Sequence, residues 1–161
     1  MSNNLSQKSF INHGHTILRL FNRTGRWEMS SATGNVRTLL RMEGLCLFVI
    51  SLLVYAHFNM SWSTFAWFIF APDLALFAYL FHSKLGAIAY NLTHSLVGAL
   101  TMIAVGYLNA SDLLIQAGLI WCAHIGFDRA LGYGLKYASG FHYTHLGQIG
   151  KRPITAQENQ L

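Results

Sequence analysis

Acidic side chains are scarce here: six Asp and Glu residues in a chain of 161. Charged residues of both signs reach 11%, against roughly a quarter in soluble globular domains, which excludes a surface built to face water all round. Two prolines and fourteen glycines exclude collagen-like and low-complexity organisation. The two cysteines, Cys46 and Cys122, form no C-x-x-C or zinc-ribbon spacing, and both fall inside apolar runs. They read as a pair of small buried hydrophobes. No secretory signal is expected, because the first strongly apolar run begins near Leu39, behind a polar, basic leader.

What the chain has instead is hydrocarbon, with 53% of its residues hydrophobic. Its length allows one domain. Four apolar segments, Leu39–Phe58, Trp62–Phe81, Gly86–Leu108 and Leu113–Lys136, each hold about 20 residues or slightly more. At 1.5 Å per residue each is long enough for a hydrocarbon core of about 30 Å. The links Asn59–Ser61, His82–Leu85 and Asn109–Asp112 are tight, so consecutive helices are antiparallel neighbours. The expected fold is all-α: a transmembrane four-helix bundle with short turns.

Residues 1–36 form a basic leader, with Lys8, Arg19, Arg23 and Arg26 against Glu28. Phe10–Phe21 has enough helical periodicity to lie on a membrane surface, and suits a loosely ordered tail equally well. His13 and His15 there read as incidental. Residues 37–150 make the four-span membrane domain, and 151–161 a C-terminal tail. Lys and Arg cluster in the leader and at Arg37, Arg41, Lys84, Lys136, Lys151 and Arg152, whereas the first and third turns have none. The positive-inside rule then puts both termini and the second turn in the cytoplasm, with the protein in the cytoplasmic membrane. The net charge of +5 is thereby explained by orientation and anionic lipid rather than by nucleic acid. Membrane lipid is the expected partner, nucleic acid is not, and a homo-oligomer is compatible with such a bundle.

Ionisable groups inside a bilayer cost several kcal/mol each unless paired or facing a cavity. Asp73, His94, His124 and Asp128 stand inside the apolar segments all the same. Counting from the basic ends puts Asp73, His94 and Asp128 about 12–13 Å deep on three helices, with His124 one turn beyond Asp128 on its face. Two imidazoles and two carboxylates converging there would suit Zn, Mn or Fe as metal ligands. Glu43, nearer the mouth, is the candidate general base. Tyr90, Asn91, Arg129, Lys136 and His145 are candidates for supporting the ligands or touching substrate. Composition makes His145 a solvated tail histidine, and only a re-entry of the tail would bring it to the cluster. Pro72 is expected to kink the second helix and can aim Asp73 inward. Gly132 and Gly134 either permit close helix approach or mark where the last helix loosens.

The same residues also carry a resemblance. The runs Leu40-Arg41-Met42-Glu43-Gly44, Ala71-Pro72-Asp73-Leu74, Tyr90-Asn91-Leu92-Thr93-His94, His124 through Tyr137, and Thr144-His145-Leu146-Gly147 closely resemble the small bacterial membrane proteins of domain of unknown function 4260. That resemblance spans about Arg37 to Gly150 and implies a multi-pass membrane protein, with no activity to carry over. A fainter likeness is to membrane-bound proteins regarded as metal-dependent hydrolases and regulated with the bacterial DNA-damage response. Their Pro-Asp, Thr-His-Ser and His-x-x-x-Asp elements are similar, in order, to Pro72-Asp73, Thr93-His94-Ser95 and His124…Asp128. This chain departs from them at Leu74-Ala75, where they have Asp-His, and at Tyr90-Asn91, where they have His-Arg.

Three functions fit these residues. The first is a metal-dependent hydrolase-like enzyme acting on a lipid or lipid-linked substrate. The second is a small proton-coupled transporter titrating Glu43 and Asp73, and the third a non-catalytic membrane scaffold whose polar cluster fixes helix register.

Overall fold

Apolar segments without water must close their backbone hydrogen bonds internally, and a helix does so within one segment. The computed structural model describes residues 31–32, 34–138 and 141–149, and contains four helical passages. Helix α1 is Gly34–His57. The second passage is α2, Trp62–Phe68, continued by a 3-10 helix over Ala71–Leu80. The third is α3, Ser83–His94, followed by α4, Leu96–Leu108, and the fourth is α5, Asp112–Leu131. Gly34–His57, Trp62–Leu80 and Ser83–Leu108 are long and apolar enough to cross a membrane. The expected four-helix bundle with short turns is what forms. The expectations for Phe10–Phe21, His13, His15 and the 151–161 tail lie outside the described residues.

Helix α5 is the hub. It packs on α1 and on α4, while α3 packs on the 3-10 helix. Two buried clusters follow this arrangement: Tyr55 with Leu119 and Ile120, and Ala99 with Cys122 and Ile125. Helices α1 and α5 approach through glycine. A Cβ at Gly126 would lie 2.6 Å from the Phe48 nitrogen, and one at Gly44 would lie 2.8 Å from the Ala130 nitrogen. Such backbone approach is how helices gain dispersion contacts where lipid removes the hydrophobic drive.

Three boundaries differ from the expected segments, each for a local reason. The second passage is not one α-helix. Pro72 stands in the first turn after Phe70 and has no N–H to give, and the chain tightens into 3-10 geometry. Three residues per turn stack i, i+3 positions, so Leu74, Phe77 and Leu80 face outward while Asp73, Leu76 and Tyr79 share a half-buried inner row. The third passage is broken at Ser95, whose backbone is extended (φ −85°, ψ 143°). The fourth ends at Leu131, short of the expected Lys136. Gly132 takes the left-handed conformation (φ 98°), its N–H donating to Arg129 O at 3.0 Å and the Tyr133 N–H to Asp128 O at 2.8 Å. That pair of bonds is the Schellman arrangement, so Gly132 ends the helix.

Beyond α5 the chain returns across the end of the bundle. Strand β1, Tyr143–Thr144, pairs antiparallel with β2, Gly147–Gln148, and Thr144 also bridges Lys136. Thr144 and Leu146 are buried. Arg41 Nε donates to Ala130 O at 2.8 Å and Ala32 N–H to His145 O at 2.8 Å, which ties the start of α1 to the end of the fold. Cys46 corrects the expected pair of buried thiols: it is exposed on α1, and only Cys122 is buried.

Gly126→Leu should force α1 and α5 apart and destabilise the bundle by about 1–3 kcal/mol, the cost of overpacking a filled interface. Thermal unfolding in detergent reads this, and unchanged stability would refute the close approach.

Candidate metal centre

The two helix breaks aim the site. Asp73 sits on the inner row of the 3-10 helix, its N–H held by Phe70 O at 3.1 Å. His94 is the last residue of α3, directly before the extended Ser95. His124 and Asp128 lie one turn apart on α5. The two imidazoles are almost wholly buried, at 4% exposed for His94 and 1% for His124. His124 Nε2 stands 3.0 Å from His94 Nε2. Asp73 Oδ1 is 3.3 Å from His94 Nε2 and 3.6 Å from His124 Nε2. Asp128 Oδ2 is 3.5 Å and 4.0 Å from the same two nitrogens. All four donor atoms lie within 4.8 Å of one another.

The hydrogen-bond partners fix what these atoms can do. His94 Nδ1 lies 2.9 Å from Tyr90 O. Thr93 Oγ1 lies 2.9 Å from the same nitrogen; in the tautomer that donates Nδ1–H to the carbonyl, Nε2 turns a lone pair into the cluster. A ligating imidazole is commonly oriented in this way, by its second nitrogen donating to a carbonyl. Tyr90 contributes twice more: its hydroxyl donates to Asp128 Oδ2 at 2.9 Å, and its ring stacks on His94 at 3.6 Å. His124 Nδ1 is buried with no hydrogen-bond partner among the described residues. Bonds of about 2.0–2.1 Å to a tetrahedral ion separate donor atoms by about 3.3 Å, which the five distances above approach, whereas the two carboxylates, within 4.8 Å of each other, would have to close on the ion. Two nitrogens and two oxygens suit Zn, Mn or Fe, and a divalent charge would offset both carboxylates.

The surrounding residues divide into those that join the site and those that do not. Asn91 acts as a clamp: its amide donates to Lys136 O at 2.8 Å and accepts from Lys136 N at 2.7 Å, pinning the returning chain beside the cluster. The Lys136 ammonium lies 3.7 Å from the Phe141 ring centre and 4.7 Å from that of Tyr90, a cation–π enclosure. Burial lowers this amine to about 8, with the Asp128 and Asp73 carboxylates pulling it back up. Arg129, with His94, Asp128, Gly134 and Leu135, borders a cavity of about 10 Å³, close to the room one water needs. Glu43 is not brought to the cluster. It is exposed on α1, its electrostatic partner is Arg129, and no ion pair or hydrogen bond among the described residues joins it to the four.

His145 is neither a free tail residue nor a member of the cluster. The tail does re-enter, and the Leu135 N–H donates to His145 Nδ1 at 2.8 Å, over Gly134. Sequence reasoning also passed over Trp121. Its indole N–H donates to Thr93 O, a carbonyl released by the break at Ser95, and the ring needs Gly98 beneath it, where a Cβ would lie 2.6 Å away. An indole among apolar residues is ordinarily packing, and nothing in the chain marked Ser95 as a break.

A family model described as a domain of unknown function (DUF4260) matches residues 37–149. The chain belongs to this family. The match takes in all four cluster residues together with Tyr90, Asn91, Lys136 and His145. No curated protein and no solved structure matches the chain.

Burial holds the His145 imidazole below its ordinary value of 6.5, and the Arg129 charge works in the same direction. The unfolded chain therefore takes up this proton before the folded one. The stability His145 contributes is complete above about pH 6.5 and is lost as pH falls through the lower folded value. His145→Gln keeps an acceptor for Leu135 but cannot titrate. It should remove about 1 kcal/mol of the acid-side loss, the net worth of one hydrogen bond. Thermal unfolding between about pH 5 and 7.5 measures this, and an identical pH slope in the variant would refute it.

Proposed function

We propose that this protein is a metal-dependent membrane hydrolase, with Asp73, His94, His124 and Asp128 holding one divalent Zn, Mn or Fe ion and a lipid or lipid-linked ester as substrate. The observation that carries this reading is the convergence of four donor atoms from three helical passages within 4.8 Å. With His94 Nδ1 donating to the Tyr90 carbonyl, the His94 Nε2 lone pair faces His124 Nε2 and the two carboxylates, an arrangement that suits a cation among them. In the proposed topology both termini are cytoplasmic and the site opens on that side, following the Lys and Arg distribution.

Such an ion, when bound, would lower the pKa of a water and polarise an ester or phosphoester oxygen. The chain's own residues do the rest. Tyr90 holds Asp128 by its hydroxyl and His94 by stacking. Helices α3 and α5 and the 3-10 row keep bulk water from the two imidazoles. The cavity beside His94 and Asp128 gives a single water room next to the cluster. Hydrolysis then places that water's oxygen on the acyl or phosphoryl group and its proton on the departing oxygen. The carrier alternative needs Glu43 beside Asp73, and no hydrogen bond links the two among the described residues.

Elemental analysis of detergent-purified protein should find one Zn, Mn or Fe per chain, and none in the His124→Ala/Asp128→Ala variant. Tyr90→Phe should keep the fold and weaken metal affinity roughly tenfold or more, as loss of a ligand's supporting hydrogen bond does. Absence of metal from the unmutated protein after loading with each ion, or equal metal in the double variant, would end this reading.

A further inference from the structure

A second feature shares the inward stripe of α5 with the cluster. A groove of about 360 Å³ runs between the second passage, α4 and α5. Pro72, Thr93 and Trp121 lie at the end where the cluster begins, and Thr64, Leu113 and Gln116 at the far end. The walls are almost entirely apolar, and three of their polar groups are already engaged. Thr93 Oγ1 bonds Tyr90 O at 3.1 Å, Gln116 donates to the Tyr55 hydroxyl at 2.8 Å, and the Trp121 N–H is taken by Thr93 O. The groove therefore presents hydrocarbon, in the size range of small-molecule sites.

Along α5 the order is informative. Leu113, Ala117, Ile120, His124 and Asp128 recur every three or four residues, on one face. On α5 the groove occupies 113–121, and the helix's two cluster residues are His124 and Asp128. Beyond the cluster come cations: Arg129, with Arg37, Arg41 and Lys84 at the same end of the bundle, while Lys136 is buried against Phe141 and Tyr90. None of these five forms an ion pair among the described residues, and Glu43 is the one acid there outside the cluster. Hydrocarbon and reactive centre thus follow one another along α5, and positive charge contributed by α1, α3 and α5 gathers at its end, which is the order of parts in an anionic amphiphile.

We propose that an anionic membrane lipid binds lengthwise along α5, with one hydrocarbon chain in the groove, its ester or phosphoester linkage at the cluster and its negative headgroup against the cationic end. The inference rests on the hydrolase reading for the chemistry at the middle of the site. Moving a chain from bilayer to groove gains little, since both are apolar. The groove supplies register, and the cations supply preference for a negative headgroup.

The test uses full-length protein in phosphatidylcholine nanodiscs dosed with photoactivatable phosphatidylglycerol, bearing a diazirine either beside the carbonyl or at the chain terminus. The carbonyl-side probe should label Pro72, Thr93 and Trp121, and the terminal probe Thr64, Leu113 and Gln116. Labelling should exceed that by the matching phosphatidylcholine probes roughly tenfold, the effect of one to two nearby cations. Ala117→Trp, which fills the groove, should abolish the ordered pattern at unchanged metal content. Equal labelling by both headgroups, or labelling spread over outward residues such as Leu53 and Leu100, would overturn the lipid site while leaving the metal assignment standing. Ordered labelling of a protein that holds no metal would overturn the hydrolase reading and leave the lipid site.

Discussion

A chain surrounded by hydrocarbon has no water to complete its hydrogen bonds, and each unsatisfied backbone group there costs several kcal/mol. Any interruption of a helix must therefore come with a substitute partner from elsewhere in the fold. The break at Ser95 releases Thr93 O, and the Trp121 indole takes it, admitted by Gly98. At the end of α5, Gly132 and Tyr133 return the last N–H groups to Arg129 and Asp128, and Arg41 covers Ala130 O. Asn91 does the same for the chain beyond, its amide standing in for a neighbouring strand against Lys136. These substitutions let three passages leave regular α geometry. The cluster sits where they do so.

That dependence explains which parts of the site were legible. Segment length and apolar content reveal four passages because they need only counting. The cluster was legible too, since an ionisable residue is conspicuous in an apolar run, and errors in helix ends shift all three passages by similar amounts. Pro72 announced a disturbance, but not a 3-10 helix running from Ala71 to Leu80, for that stretch has a composition that either helix type accepts. Its period of three is visible only once neighbours decide which row is covered. Ser95 gave less warning still. Thr93-His94-Ser95 is a polar triplet whose side chains can compete for backbone groups, and such triplets also continue helices without interruption.

Depth alone could not place Glu43. Counting along α1 put it near the mouth of the site, but the direction around the helix axis decides contact. Gly44, the next residue, is the one packed against Arg129 and Ala130, which leaves Glu43 exposed beside the Arg129 charge. His145 erred the other way. A histidine in a short polar tail reads as solvated, and its partial burial depends on the chain doubling back over ten residues to pair His145 with Leu135. A chain reversal of this kind leaves no periodic trace in a segment so short.

The fourth passage supplies two of the four cluster residues. Helix α5 carries Gln116, His124, Asp128 and Arg129, a set that would be expensive on any lipid-facing surface. It can hold them because α1 and α4 pack against it. Gly126 brings α1 within backbone distance, and Gly118 does the same for α4, its position for a Cβ lying 3.0 Å from Ala99 O. Small residues on two sides of α5 let it be enclosed, and enclosure makes a polar stripe on its third side tolerable. The glycines are therefore part of the site's chemistry, although neither approaches a ligand atom. Replacing them with larger residues would expose the stripe to lipid before it disturbed any donor directly.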